Sequence, residues 1–294
     1  MAAGRVGLTG AQELASAPSL GDALRELGDT PYRRGVEVGS TLAEAQRGVS
    51  AASLWQLRVL AGWQPRAGAS ALRLLCAQYE IANAEQHLRE LAGAPPERPY
   101  RLGALATAWP RLSRASSPTA LRAVLATTVW GDPGADTPAA IGLEMRLSLA
   151  ARTAANLPQA VREAAGEAAL LVAREVFVAG RPLEGTAVRH AARVLGHHSV
   201  HAASYREFRS HLPATARWAV DGVEEVADLW RAEAGRQVRA EQHGAELLHG
   251  AGLDIGPVVG AALVLSVDAW RIRAALESAA RGGAGREVFD ALMG

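Results

Sequence analysis

An all-α protein is the fold class this sequence predicts, on three observations. Apolar residues recur at alternating steps of three and four over long stretches. Strand-like alternation is confined to Val36-Glu37-Val38, which is short and flanked by glycines. Glycine and proline clusters at 93–99, 130–138, 180–185 and 250–257 break the chain between helical stretches.

Taken in order, Thr30-Pro31 marks the first clear helix start, with Thr30 as the cap and Pro31 in the first turn. Residues 74–91 come next. Leu74, Ala77, Ile81, Ala84, Leu88 and Leu91 form one continuous stripe, which leaves Glu85, Arg89 and Glu90 for water. Tyr79 and Asn83 lie one turn apart on a face shared with Leu72 and Cys76, so Tyr79 reads as a core residue and Asn83 as a buried hydrogen-bonding group. Near the C-terminus, Leu265, Ala269, Ile272, Leu276 and Ala279 repeat the stripe. Asp268–Arg271 and Arg273–Glu277 stand there at ion-pair spacing, and exposed pairs of that kind contribute about 0.3–0.5 kcal/mol each. A glycine-rich break at 281–286 and a last short helix at 287–293 close the sequence. Long helices with short breaks predict a bundle or solenoid of antiparallel helices in one module, 1–294.

Composition narrows the function. The 294 residues carry a formal net charge of +1, which gives no electrostatic case for nucleic acid or an anionic membrane surface. The single cysteine, Cys76, has no internal disulfide partner, and no secretory signal is expected. The apolar run 257–267 is too short to span a bilayer and stops at Asp268, so a cytoplasmic location is expected. Every basic side chain other than histidine is arginine. Without lysine there is no Walker A phosphate loop and no Schiff-base amine.

The histidines carry the rival reading, a metal-dependent helical enzyme. His197 and His201 are one turn apart, beside His198, and Glu246-x-x-His249 with His243 resembles half of a di-metal helix pair. A second Glu-x-x-His helix is missing from the sequence, and no His-Glu-x-x-His occurs. The segment 281–286 invites a phosphate at the next helix N-terminus, but helix termination by glycine explains it as well.

Two segments together carry a resemblance. The first holds Tyr79-Glu80-x-x-Asn83 and later Tyr100-Arg101-Leu102-Gly103, and the second holds Asp268-Ala269-Trp270-Arg271-Ile272-Arg273. In this order and spacing they resemble the C-type central-stalk family of the V-type (A/V-type) rotary ATPases, whose eukaryotic members are called d-type. Residues 14–27 and Thr30-Pro31-Tyr32 are similar to that family's opening helices and Thr-x-Tyr corner. Glu80 stands where the family has Asp, and Trp270 where a smaller polar residue is common.

The resemblance implies a funnel-like array of three pseudo-repeated helical subdomains, here about 1–103, 104–187 and 188–294. It also implies a non-catalytic coupler, on the cytoplasmic face of the membrane, that links the central shaft subunits to the proteolipid ring during proton or sodium transport. No catalytic residue, cofactor, metal, nucleic acid or membrane-inserted segment is expected. Candidate partner contacts are Arg271, Arg273 and Trp270, with Tyr79, Glu80 and Asn83 as the structural motif.

Overall fold

A computed structural model describes residues 4–250, 254–282 and 289–290. Among these, the secondary structure is helix throughout with no β-strand. The helices are α1 (Gly7–Ala15), α2 (Leu20–Leu27), α3 (Leu42–Gly62), α4 (Arg66–Leu75), α5 (Ala77–Leu91), α6 (Trp109–Leu112), α7 (Pro118–Ala126), α8 (Pro138–Asn156), α9 (Val161–Ala173), α10 (Gly185–Leu195), α11 (His197–Val200), α12 (Tyr205–His211), α13 (Ala214–Arg217), α14 (Leu229–His249) and α15 (Gly256–Ala280). Only Phe289 and Asp290 of the expected last helix fall within the described residues; the rest of 287–293, and 283–286, lie outside them. None of the described helices is long and apolar enough to cross a membrane.

The chain divides into two compact units, residues 1–72 with 237–294, and residues 73–236. These divisions fall at 72/73 and 236/237 rather than at the expected 103/104 and 187/188.

In the first unit α15 packs against α1, α2 and α3. Its core joins Leu14, Leu24, Leu27, Tyr32 and Val49 to Ile272, Leu276 and Ala279. The C-terminal apolar stripe is therefore covered by the first three helices. Local chemistry sets their ends: Ser19 caps α2 by accepting from the Asp22 amide, and Thr41 and Glu44 form a reciprocal capping box on α3. Thr30 caps a short 3₁₀ turn, Pro31–Arg34, as its sequence predicts. Gly282, at φ 67°, terminates α15.

The chain passes from that turn into α3 through a backbone contact that only glycine permits. A Cβ on Gly48 would stand 1.8 Å from the Gly35 carbonyl oxygen, and one on Gly35 would stand 2.1 Å from that of Gly48. Alanine at Gly48 is expected to gain about 1 kcal/mol of helix propensity and lose more to the forced backbone shift. Gly48→Ala should therefore lower stability by up to about 2 kcal/mol in urea unfolding, the overpacking cost less the propensity gained. A stabilised variant would show that the two backbones do not touch.

In the second unit α8 packs against α5, α9 and α10, and α13 packs on α9. One core here centres on α9 with Phe208, Leu212 and Trp218, and another gathers Ile81, Leu88, Leu112, Leu121, Trp130 and Met145. The sequence predicts one continuous helix over 74–91, but the chain turns at Cys76 between α4 and α5. Glu85 is also not left to water, because Arg146 of α8 pairs with it at 2.5 Å.

Candidate functional site

Each unit contains a buried carboxylate in a helix, surrounded by the same kinds of donor. In the first unit Asp268 of α15 is 2% exposed. Its oxygens accept from the Val6 amide at 3.0 Å, the Gly7 amide at 2.7 Å and the Tyr32 hydroxyl at 2.8 Å. The two amides stand at the N-terminus of α1, where backbone N–H groups lack helical partners and a negative charge is favoured. Asp268 thus cannot form the surface pair with Arg271 that the spacing suggests.

In the second unit Glu80 of α5 is 1% exposed. It accepts from the amides of Thr107 at 2.6 Å and Ala108 at 2.8 Å, just before α6, and from Trp130 Nε1 at 2.9 Å. The Arg152 guanidinium lies 5.1 Å from the Trp130 ring centroid. Burial lowers its pKa, and the charge of Glu80 opposes that shift.

The aromatic donors are placed by matching corners. Thr30 donates to the Leu27 carbonyl at 2.7 Å and accepts from the Tyr32 amide at 3.2 Å. Thr128 donates to the Leu125 carbonyl at 2.8 Å and accepts from the Trp130 amide at 3.3 Å. Ser19 and Ser117 cap the helices leading into these corners. Ser117, Leu125, Thr128 and Trp130 each stand 98 positions after Ser19, Leu27, Thr30 and Tyr32. The later segment Ser204, Leu212, Thr215 follows at a common spacing of 87. Its corner is altered: Pro213 intervenes, and Trp218 Nε1 donates to the Thr215 carbonyl at 2.8 Å rather than to a carboxylate.

The acids of the two segments that carry the resemblance, Glu80 and Asp268, thus act as internal clamps. Asn83 holds the backbone of Tyr100 from both sides, donating to its carbonyl at 3.0 Å and accepting from its amide at 2.7 Å. Tyr79 meets the Tyr100 ring edge-on at 5.3 Å. The Tyr-acid-x-x-Asn helix and the later Tyr-x-Leu-Gly turn are in contact through these bonds.

Of the three candidate partner contacts, the expected exposure of Arg271 is corrected. Arg271 does not project into solvent; it is 2% exposed, and Nη2 lies 2.6 Å from Glu241 of α14. Arg5 approaches the same carboxylate at 3.5 Å. Arg271 meets Glu241 of α14, while Ile272, Ala275 and Ala279 on the same helix are buried in the core. Trp270 is partly buried against that core, and Arg273 is partly buried. Glu277, expected to pair with Arg273, instead pairs with Arg281 at 2.6 Å.

The histidines divide into separate contacts. The His197 and His201 rings meet tilted by 36° with centroids 4.3 Å apart, His198 meets His211 at 5.8 Å, and His249 Nδ1 lies 2.7 Å from the Ala245 carbonyl oxygen. Among the described residues, no group of three or more His, Cys, Asp and Glu side chains is placed to hold one metal ion. A pair that sequence reasoning missed is Glu144 on α8 with His190 on α10, 3.0 Å apart, the carboxylate 1% exposed. Their spacing in sequence is too wide for any local pattern to reveal. Burial pushes the Cys76 thiol up to about 12, so at neutral pH it is protonated and a poor nucleophile.

One outward surface departs from the usual helix pattern. Along α3 the residues at steps of four are Ala51, Trp55, Val59 and, at its end, Trp63. Ala51 is exposed, Trp55 40% exposed, Val59 41% and Trp63 83%. Arg34 lies 4.3 Å over the Trp55 ring. The chain matches no family model and no curated protein.

Proposed function

We propose that this chain is the non-catalytic central-stalk subunit of a V-type rotary ATPase, joining the shaft to the proteolipid ring during proton or sodium transport. The observation that carries the reading is the repeated clamp: a Ser-capped helix, a Thr-x-aromatic corner, and a buried acid from another helix. Repeated helical subdomains are what the resemblance to the C-type family implies, and Ser204-Leu212-Thr215 supplies a candidate third copy. The buried acids support a mechanical role over a catalytic one. Each accepts three hydrogen bonds from fixed donors and is almost fully buried, whereas a coupler requires stiffness.

The test is to tag the chain in its own cells and solubilise the membranes in mild detergent. Co-purification of the rotary nucleotide-binding subunits and the proteolipid in fixed ratio is expected. Membranes lacking the chain should hydrolyse ATP without building an ion gradient. Undiminished ATP-driven pumping in its absence would overturn the proposal.

A further inference from the structure

The ridge on α3 runs against the ordinary arrangement of a surface helix. Its inner face is committed to the core through Ala45, Val49, Ala52, Leu54 and Leu57. The row pointing outward should then be polar. Instead Ala51, Trp55, Val59 and Trp63 form an apolar row on the outside, roughly 18 Å long at 1.5 Å per residue. An exposed apolar row that includes two tryptophans is a candidate interaction surface.

The geometry and charge of the ridge indicate what covers it. Side chains at steps of four make a ridge that seats in the groove between side-chain rows of another helix. Among residues 31–72, Arg33, Arg34, Arg58 and Arg66 stand against Glu37 and Glu44, while Arg47 has a partner of its own. Glu44 is already engaged by the Thr41 amide and hydroxyl, both at 2.8 Å. The complementary surface is therefore acidic. Tryptophan and arginine are the residue types that dominate binding energy at protein interfaces, and Arg34 stacked on Trp55 holds that indole in place before contact.

We propose that the α3 ridge is the docking surface for an acidic amphipathic helix of a partner protein. A second copy of this chain would bring the same arginines face to face, which charge repulsion opposes. A bilayer takes up a broad apolar face, and this row is one side chain wide. The inference requires a helical partner but not a rotary one, so it stands apart from the reading above.

The experiment uses the full chain and two labelled synthetic peptides with identical leucine spacing on a helix, one flanked by glutamates and the other by lysines. Fluorescence anisotropy should show saturable binding of the glutamate peptide, weakening as salt rises, and none of the lysine peptide. Trp63→Ala should weaken binding by about thirtyfold, the loss expected of a hot-spot residue, with unchanged circular dichroism. Arg66→Glu lowers the positive excess of this segment and should weaken binding of the glutamate peptide. Equal binding of both peptides, or indifference to both substitutions, would overturn the proposal. So would uptake by phosphatidylserine vesicles in preference to the peptide, or concentration-dependent dimerisation abolished by Trp63→Ala.

Discussion

Asp268→Ala should cost about 4 kcal/mol or more of stability. It removes the acceptor shared by three donors, the part-buried Val6 and Gly7 amides and the buried Tyr32 hydroxyl. Each buried donor left without a partner costs roughly 1–3 kcal/mol. Tyr32→Phe removes a single hydrogen bond to a charged group while keeping the ring, so about 1.5–3 kcal/mol is expected. The double variant should then lose less than the two single losses combined, since the hydroxyl has no carboxylate left to miss. Urea unfolding followed by far-ultraviolet circular dichroism measures all three. Hydrogen exchange supplies the local readout, as the Val6 and Gly7 amides should lose protection in Asp268→Ala. A loss below about 1 kcal/mol, or strictly additive losses, would show that this carboxylate does not organise the N-terminus of α1.

The helices were legible because their information is local and periodic. Leu265 through Ala279 reads as a stripe and is buried as one, and Thr30-Pro31 caps the turn it announces. The clamps were half legible. Glu80, Asn83 and Asp268 stand out as polar residues within apolar helices, but their partners are mostly backbone groups, at Thr107, Ala108, Tyr100, Val6 and Gly7. An amide N–H has no side-chain identity, so no sequence pattern names it. The corners could have been found by comparing the sequence with itself at a spacing of 98, where Ser, Leu, Thr and an aromatic coincide. The break at Cys76 was hidden because the apolar stripe continues across it. The α3 ridge was hidden for a related reason: Trp55 and Val59 at helical spacing have the composition of a core face, and only the fold shows them turned outward.

Arg271 provides the sharpest separation between the sequence reading and the structure. An exposed arginine can be removed at little cost, within about 0.5 kcal/mol. The structure instead gives a cation 2% exposed, held by Glu241 at 2.6 Å. Its Nε and Nη1 have no hydrogen-bond partner among the described residues, so desolvation of the guanidinium is only partly offset. Arg271→Ala removes that cation but also leaves a cavity and the Glu241 carboxylate without its closest partner, for an expected loss of about 3–5 kcal/mol. Arg271→Met fills the volume without the charge. Paired with Glu241→Gln, it should recover most of that loss and can match or exceed the parent stability. Glu241→Gln alone should be the contrasting case, because it leaves the buried guanidinium with no compensating charge close by. Melting temperatures of the four variants decide the matter. If Arg271→Ala melts with the parent protein, the guanidinium is in water and the partner-contact reading of Arg271 returns. If it collapses while the Met/Gln pair does not, the arginine belongs to the packing between α14 and α15, and a partner must be met elsewhere on the surface.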